Sequence, residues 1–224
     1  MRLFLKNNSL TLVFTVLFLG SLLGQSLAGW KLQNEKQLAH DSPTVSFARY
    51  LVSSDFGQAV TENWQSEYLQ FTCFILATIW LIQRGSNESK KPEDAGRESD
   101  AKQLIGRHAQ QNSPAWAKLG DWRTALYSNS LLIVMALLFF GSWFAQSVTG
   151  WTQYNADQRD HDESTVPWAG YVVRPDFWEK TLQNWQSEFL AVATMAIFTV
   201  YLRQRGSPES KPVGAPHDET ASSG

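Results

Sequence analysis

The sequence predicts an all-α membrane protein with four transmembrane helices, arranged as two tandem, parallel two-helix repeats. Three observations predict it: an internal duplication, two long apolar runs in each copy, and basic residues gathered at one end of every run. The duplication is direct. Asn8-Ser9-Leu10 returns as Asn129-Ser130-Leu131, and the offset of 121 residues (129 − 8) also carries Asn63-Trp64-Gln65-Ser66-Glu67 onto Asn184-Trp185-Gln186-Ser187-Glu188 without a gap. Roughly 38 of about 83 aligned positions are identical, which marks a tandem duplication and not two independent domains.

In chain order, the first repeat occupies residues 1–91, with spans at about 10–28 and 64–83. The run from Leu10 to Ala28 is long enough to cross a hydrocarbon layer of about 30 Å as a helix. Arg2, Lys6 and the small residues Ser26-Leu27-Ala28 imitate a secretory signal, but the equivalent segment from Ser130 to Thr149 is internal, so an uncleaved helix is expected. The second apolar run, Tyr68 to Ile82, is short. It reaches spanning length only if the helix includes the polar Asn-Trp-Gln-Ser-Glu end. Upstream, Ser54-Asp55-Phe56 and Arg174-Pro175-Asp176-Phe177 carry helix-start chemistry, each opening a helix that continues into the second span. Thr44-Val45 and Thr165-Val166 suggest short extended pieces.

Residues 92–127 form a polar linker, in which Ser113-Pro114 followed by Trp116, Leu119, Trp122 and Leu126 predicts one interfacial helix with an apolar side. The second repeat, residues 128–211, carries spans at about 130–149 and 185–204, and residues 212–224 read as a disordered tail. Arg2 and Lys6, Arg84, Lys90 and Lys91, Lys118 and Arg123, and Arg203, Arg205 and Lys211 all fall on one side of the predicted spans. By the positive-inside tendency that side is cytoplasmic, as are both termini, and the halves are parallel because each has an even number of spans.

The formal net charge of −2 argues against nucleic acid as a partner; the expected partners are the lipid bilayer and a membrane protein or a second copy of this chain. Cys73 is the single cysteine, so there is no intrachain disulfide. No nucleophile elbow, phosphate-binding glycine loop or zinc-protease helix is present; neither an enzyme nor a cofactor is expected.

Four polar side chains form a candidate layer near the outer ends of the spans: Gln25 and Glu67 from one half, Gln146 and Glu188 from the other. A carboxylate in a span is costly and needs a partner, so packing of amide against carboxylate is the leading reading and ion handling the alternative. Asn63, Glu67 and Gln70 share one helical face, as do Asn184, Glu188 and Ala191. Gly20-x-x-x-Gly24 and Gly141-x-x-x-Ala145 predict close helix approach. In the outer loops, His40, Asp41, His161 and Asp162 are candidates for a metal or pH-sensing site, offering two imidazoles and two carboxylates.

With its Gln-Ser-x-x-Gly-Trp span ends, Asn-Trp-Gln-Ser-Glu entries and Gln-Arg-Gly-Ser-x-Glu-Ser-Lys exits, the chain resembles an uncharacterised family of small bacterial integral membrane proteins, catalogued as a domain of unknown function. The resemblance runs from Arg2 through His217. It implies a bacterial cytoplasmic (inner) membrane location with several passes and carries over no substrate, cofactor or catalytic residue. The expectation is a membrane protein with an interaction or envelope-associated structural role. The alternatives are a small ion or solute conductor using the Gln/Glu layer and a metal or pH sensor using the His-Asp pairs.

Overall fold

Helices account for all the regular structure among the described residues, 2–221, of the computed structural model. The α-helices are α1 (Arg2–Asn7), α2 (Ser9–Ala39), α3 (Phe47–Leu51), α4 (Ser54–Ala77), α5 (Ala115–Leu119), α6 (Trp122–Ser128), α7 (Ser130–Asp160), α8 (Trp168–Tyr171) and α9 (Pro175–Tyr201), and short 3-10 helices lie at Pro92–Asp94 and Gly106–His108. The offset of 121 maps the ends of α2 onto those of α7, and both helices have 31 residues, about 46 Å at 1.5 Å per residue. Each exceeds the predicted span by more than ten residues. The same offset aligns the starts of α4 and α9, which run unbroken from Ser54 and Pro175 through the Asn-Trp-Gln-Ser-Glu motifs.

Only α2 and α7 are apolar enough over their length to count as candidate membrane spans among the described residues. The polar first halves of α4 and α9 dilute their apolar ends, so four spans do not follow from length and composition. Both second helices also stop short of the predicted limits of 83 and 204, at Ala77 and Tyr201.

The predicted interfacial helix is two helices. Gly120 takes φ +72°, which ends α5, and the Asp121 carboxylate accepts the Arg123 N–H at 2.9 Å to start α6. The Thr124 hydroxyl joins them, donating to Trp116 O at 2.7 Å and accepting from Gly120 N at 2.8 Å. Trp116, Leu119, Trp122 and Leu126 remain exposed, as an apolar side requires.

The two segments expected to be extended are not strands; their backbone partners are asparagine side chains. In the tail expected to be disordered, residues 212–221 carry internal and docking hydrogen bonds, and 222–224 lie outside the described residues.

The chain divides into two compact units. Unit one comprises residues 1–60 and 148–168, and unit two residues 61–147 and 169–224. Unit two holds an aromatic cluster centred on Trp143. Trp143 lies with its ring centroid within 5.7–6.1 Å of those of Phe139, Phe177, Trp178 and Trp185.

Candidate functional site

In unit one, a helix residue and the loop that follows it are tied by the same side-chain pattern in both copies. The Asn34 amide donates to Val45 O at 3.1 Å and accepts Val45 N–H at 2.8 Å; Asn155 does the same to Val166, at 2.9 Å in each direction. One turn earlier, the indole N–H groups of Trp30 and Trp151 reach the same carbonyl oxygens at 2.7 Å. Tryptophan and asparagine at i and i+4 share a helix face, so a Gly-Trp-x-x-x-Asn pattern at the end of a long helix holds one loop residue at three points. Gly29 completes the first copy: a Cβ there would collide with the Tyr50 hydroxyl. Burial, and then the nearby Asp55 carboxylate, pushes the Tyr50 hydroxyl above the ordinary phenol range.

Beside these clamps lies a polar cavity of about 520 Å³, lined among others by Gln33, Lys36, His40, Asp55, Asp157 and His161. Asp55, in the first turn of α4, accepts Gln33 Nε2 at 2.8 Å and Gln153 Nε2 at 2.9 Å, so one carboxylate joins α2, α4 and α7. Of the four residues proposed for metal or pH sensing, His40 and His161 line this cavity. Asp41 and Asp162 do not. They take φ +53° and +58°, terminating the helices in the left-handed conformation that aspartate tolerates better than most residues. The carboxylates at the cavity are Asp55, Asp157 and Asp160. Among the described residues, no group of three or more His, Cys, Asp or Glu side chains is placed to share an ion.

In unit two, the two Asn-Trp-Gln-Ser-Glu motifs meet. Trp185 Nε1 donates to Gln65 Oε1 at 2.7 Å, Asn184 Nδ2 to Glu62 Oε1 at 3.2 Å, and Ser66 Oγ to Glu188 Oε1 at 3.3 Å. On α4 the participating face is Glu62, Gln65 and Ser66, one residue earlier than the face of Asn63, Glu67 and Gln70 expected from the spacing. On α9 it is Asn184, Trp185 and Glu188, which shares Asn184 and Glu188 with the expected face but has Trp185 and not Ala191 as its third member. The copies are alike in sequence but not in use: Gln65 and Ser66 are buried, whereas Gln186 and Ser187 are exposed. Of the predicted layer, Glu188 joins this seam, Glu67 is exposed and Gln146 is buried. Gln25 lies in unit one, where its amide donates to Ala59 O at 3.5 Å.

Tyr171, also in unit two, is 2% exposed; burial first, then Asp176 and Glu62, pushes its hydroxyl up to about 12. Glycines predicted to mediate helix approach do not. Nothing lies within 4 Å of a Cβ built on Gly20, Gly24 or Gly141.

A family model described as a domain of unknown function (DUF6766) matches residues 1–222. The chain belongs to this family. In DUF6766 terms, the clamps, the cavity and the seam all fall within the matched region. No curated protein and no solved structure matched the chain.

Proposed function

We propose that this chain is a four-span integral membrane protein of a bacterial inner membrane, with both termini cytoplasmic and an interaction or envelope-associated structural role. The observation that carries the reading is the exposure of α2. Leu10, Val13, Phe14, Val16, Leu17, Phe18, Leu19 and Leu23 are 47–73% exposed, one after another around the helix. A water-facing helix rarely presents an unbroken apolar surface, whereas a lipid-facing one does. Leu190, Met195, Ile197, Phe198 and Tyr201 give the end of α9 the same character, which supports it as a further span despite its polar start. The seam supports a packing role for Glu188, the carboxylate of the second motif, and for Glu62, which precedes the first, since each accepts a hydrogen bond from the facing helix.

Alkaline carbonate extraction followed by reconstitution tests this. The protein should stay with the membrane, and vesicles containing it should pass cations no faster than empty vesicles. Wild-type flux that disappears in a folded Glu67→Gln/Glu188→Gln double variant would establish the conductor reading instead. A sensor reading is favoured by one observation, the presence of His40 and His161 at one cavity. Calorimetric titration with Zn²⁺ tests it: heat lost in a His40→Ala/His161→Ala variant would support it, and no heat in the wild type would remove it.

A further inference from the structure

We propose that the turn leaving the first repeat, Arg84-Gly85-Ser86, is a docking site whose occupant is the chain's own C-terminal segment, Pro212–Ala221. Both copies of the Gln-Arg-Gly-Ser-x-Glu-Ser-Lys motif fold into the same turn. Ser89 Oγ accepts Gln83 N–H at 3.0 Å and Ser210 Oγ accepts Gln204 N–H at 2.8 Å, while Ser86 and Ser207 accept the N–H groups of Glu88 and Glu209 at 3.1 and 3.2 Å. Each motif ends in a lysine that organises the chain after it. Lys90 Nζ donates to Gly96 O at 3.1 Å, and Lys211, 1% exposed, donates to the carbonyl oxygens of Pro216, His217 and Glu219 at 2.9–3.0 Å. An ammonium that has lost its water must have its donors satisfied, and the curled tail supplies three acceptors.

So curled, the tail meets the first copy's turn in register. The Arg84 guanidinium pairs with the Asp218 carboxylate at 3.2 Å, Gly85 N–H donates to Thr220 Oγ1 at 2.8 Å, and Ala221 N–H donates to Ser86 O at 3.2 Å. His217 Nδ1 lies 3.0 Å from Val200 O, and Arg203 donates to Ala215 O at 3.0 Å, anchoring the other edge. The two glycines show that the contact is specific to one copy. Gly85 and Gly206 have nearly the same backbone, φ +84° and +81°, yet a Cβ on Gly85 would strike the His217 carbonyl oxygen and one on Gly206 would meet nothing within 4 Å. Conformation alone requires glycine at 206; conformation and an occupant require it at 85.

This difference supplies the test. Alanine at either position imposes the same left-handed strain, but only at 85 does it intrude on the tail. Hydrogen exchange of the full chain in detergent should show the amides of 213–221 exchanging at least about tenfold more slowly than in a free peptide of that sequence. Gly206→Ala should leave that protection in place, and Gly85→Ala should remove it. Tail exchange at the free-peptide rate in the wild type, or equal effects of the two alanines, would overturn the proposal. If Gly85→Ala also exposes α9, Thr220→Val decides, because it keeps the shape and deletes the acceptor. Faster exchange at Gly85 and Ala221 with α9 unchanged supports docking, and unchanged exchange at both contradicts it.

Discussion

Asn34 and Asn155 each do with one amide what a neighbouring strand would do with a peptide group, pairing with both the N–H and the C=O of a single loop residue. Asn155→Ala should therefore cost about 1–3 kcal/mol by leaving the Val166 N–H without its acceptor, while Trp151 still reaches Val166 O, and Asn155→Asp, which keeps that acceptor, should leave the Val166 amide better protected. Accelerated exchange at the Val166 amide in that order would check it. Tyr171 gives a pH prediction. Its folded-state hydroxyl stays protonated up to about 12, whereas an unfolded tyrosine ionises near 10. The folded state then holds the extra proton above pH 10, so stability falls as pH rises from about 10 to about 12. Tyr171→Phe should flatten that slope, and a slope unchanged by the substitution would contradict the assignment. The sequence pattern singles out none of Asn34, Asn155 and Tyr171. His40 and His161 stood out because they recur, but no pattern in the residue string shows that Asp41 and Asp162 turn left-handed and leave the cavity to Asp55, Asp157 and Asp160.

At the scale of whole helices, the 121-residue offset read from the sequence brings helix limits into line, α2 onto α7 and the start of α4 onto that of α9. The offset carries over less well to helix faces. A face shifts with every residue of rotation, and the same pentapeptide buries Gln65 and Ser66 on α4 but leaves Gln186 and Ser187 exposed on α9. The small residues illustrate this too. Gly20 and Gly24 have the familiar spacing, yet a Cβ added at either would meet no neighbour within 4 Å, while Gly29, in no small-residue stripe, is where a side chain closes on α2. Gly29→Ala should lower stability by about 1–3 kcal/mol through overpacking against Tyr50, whereas Gly20→Ala should leave it at or above the wild-type value. Thermal unfolding in one detergent compares them directly. Equal losses would mean that both glycines meet packed neighbours.

For the whole molecule, the central claim is that both repeats cross a membrane twice with the same orientation. The apolar exposure of α2 and α9 and the single-sided basic residues support it independently, one through surface chemistry and one through charge. Linker and tail departed most from expectation. Their composition is that of solvated segments, but composition does not register that Lys211 finds three carbonyl acceptors or that Asp121 and Gly120 divide one helix into two. The most direct measurement is cysteine accessibility in intact cells, using single cysteines at Gln37, Gln158, Asp94 and Val213 in a Cys73→Ser background. With an impermeant thiol reagent, positions 37 and 158 should label, and 94 and 213 should label only after the membrane is opened. Labelling at 37 but not 158, or at 94 or 213 in intact cells, would contradict two parallel hairpins with cytoplasmic termini.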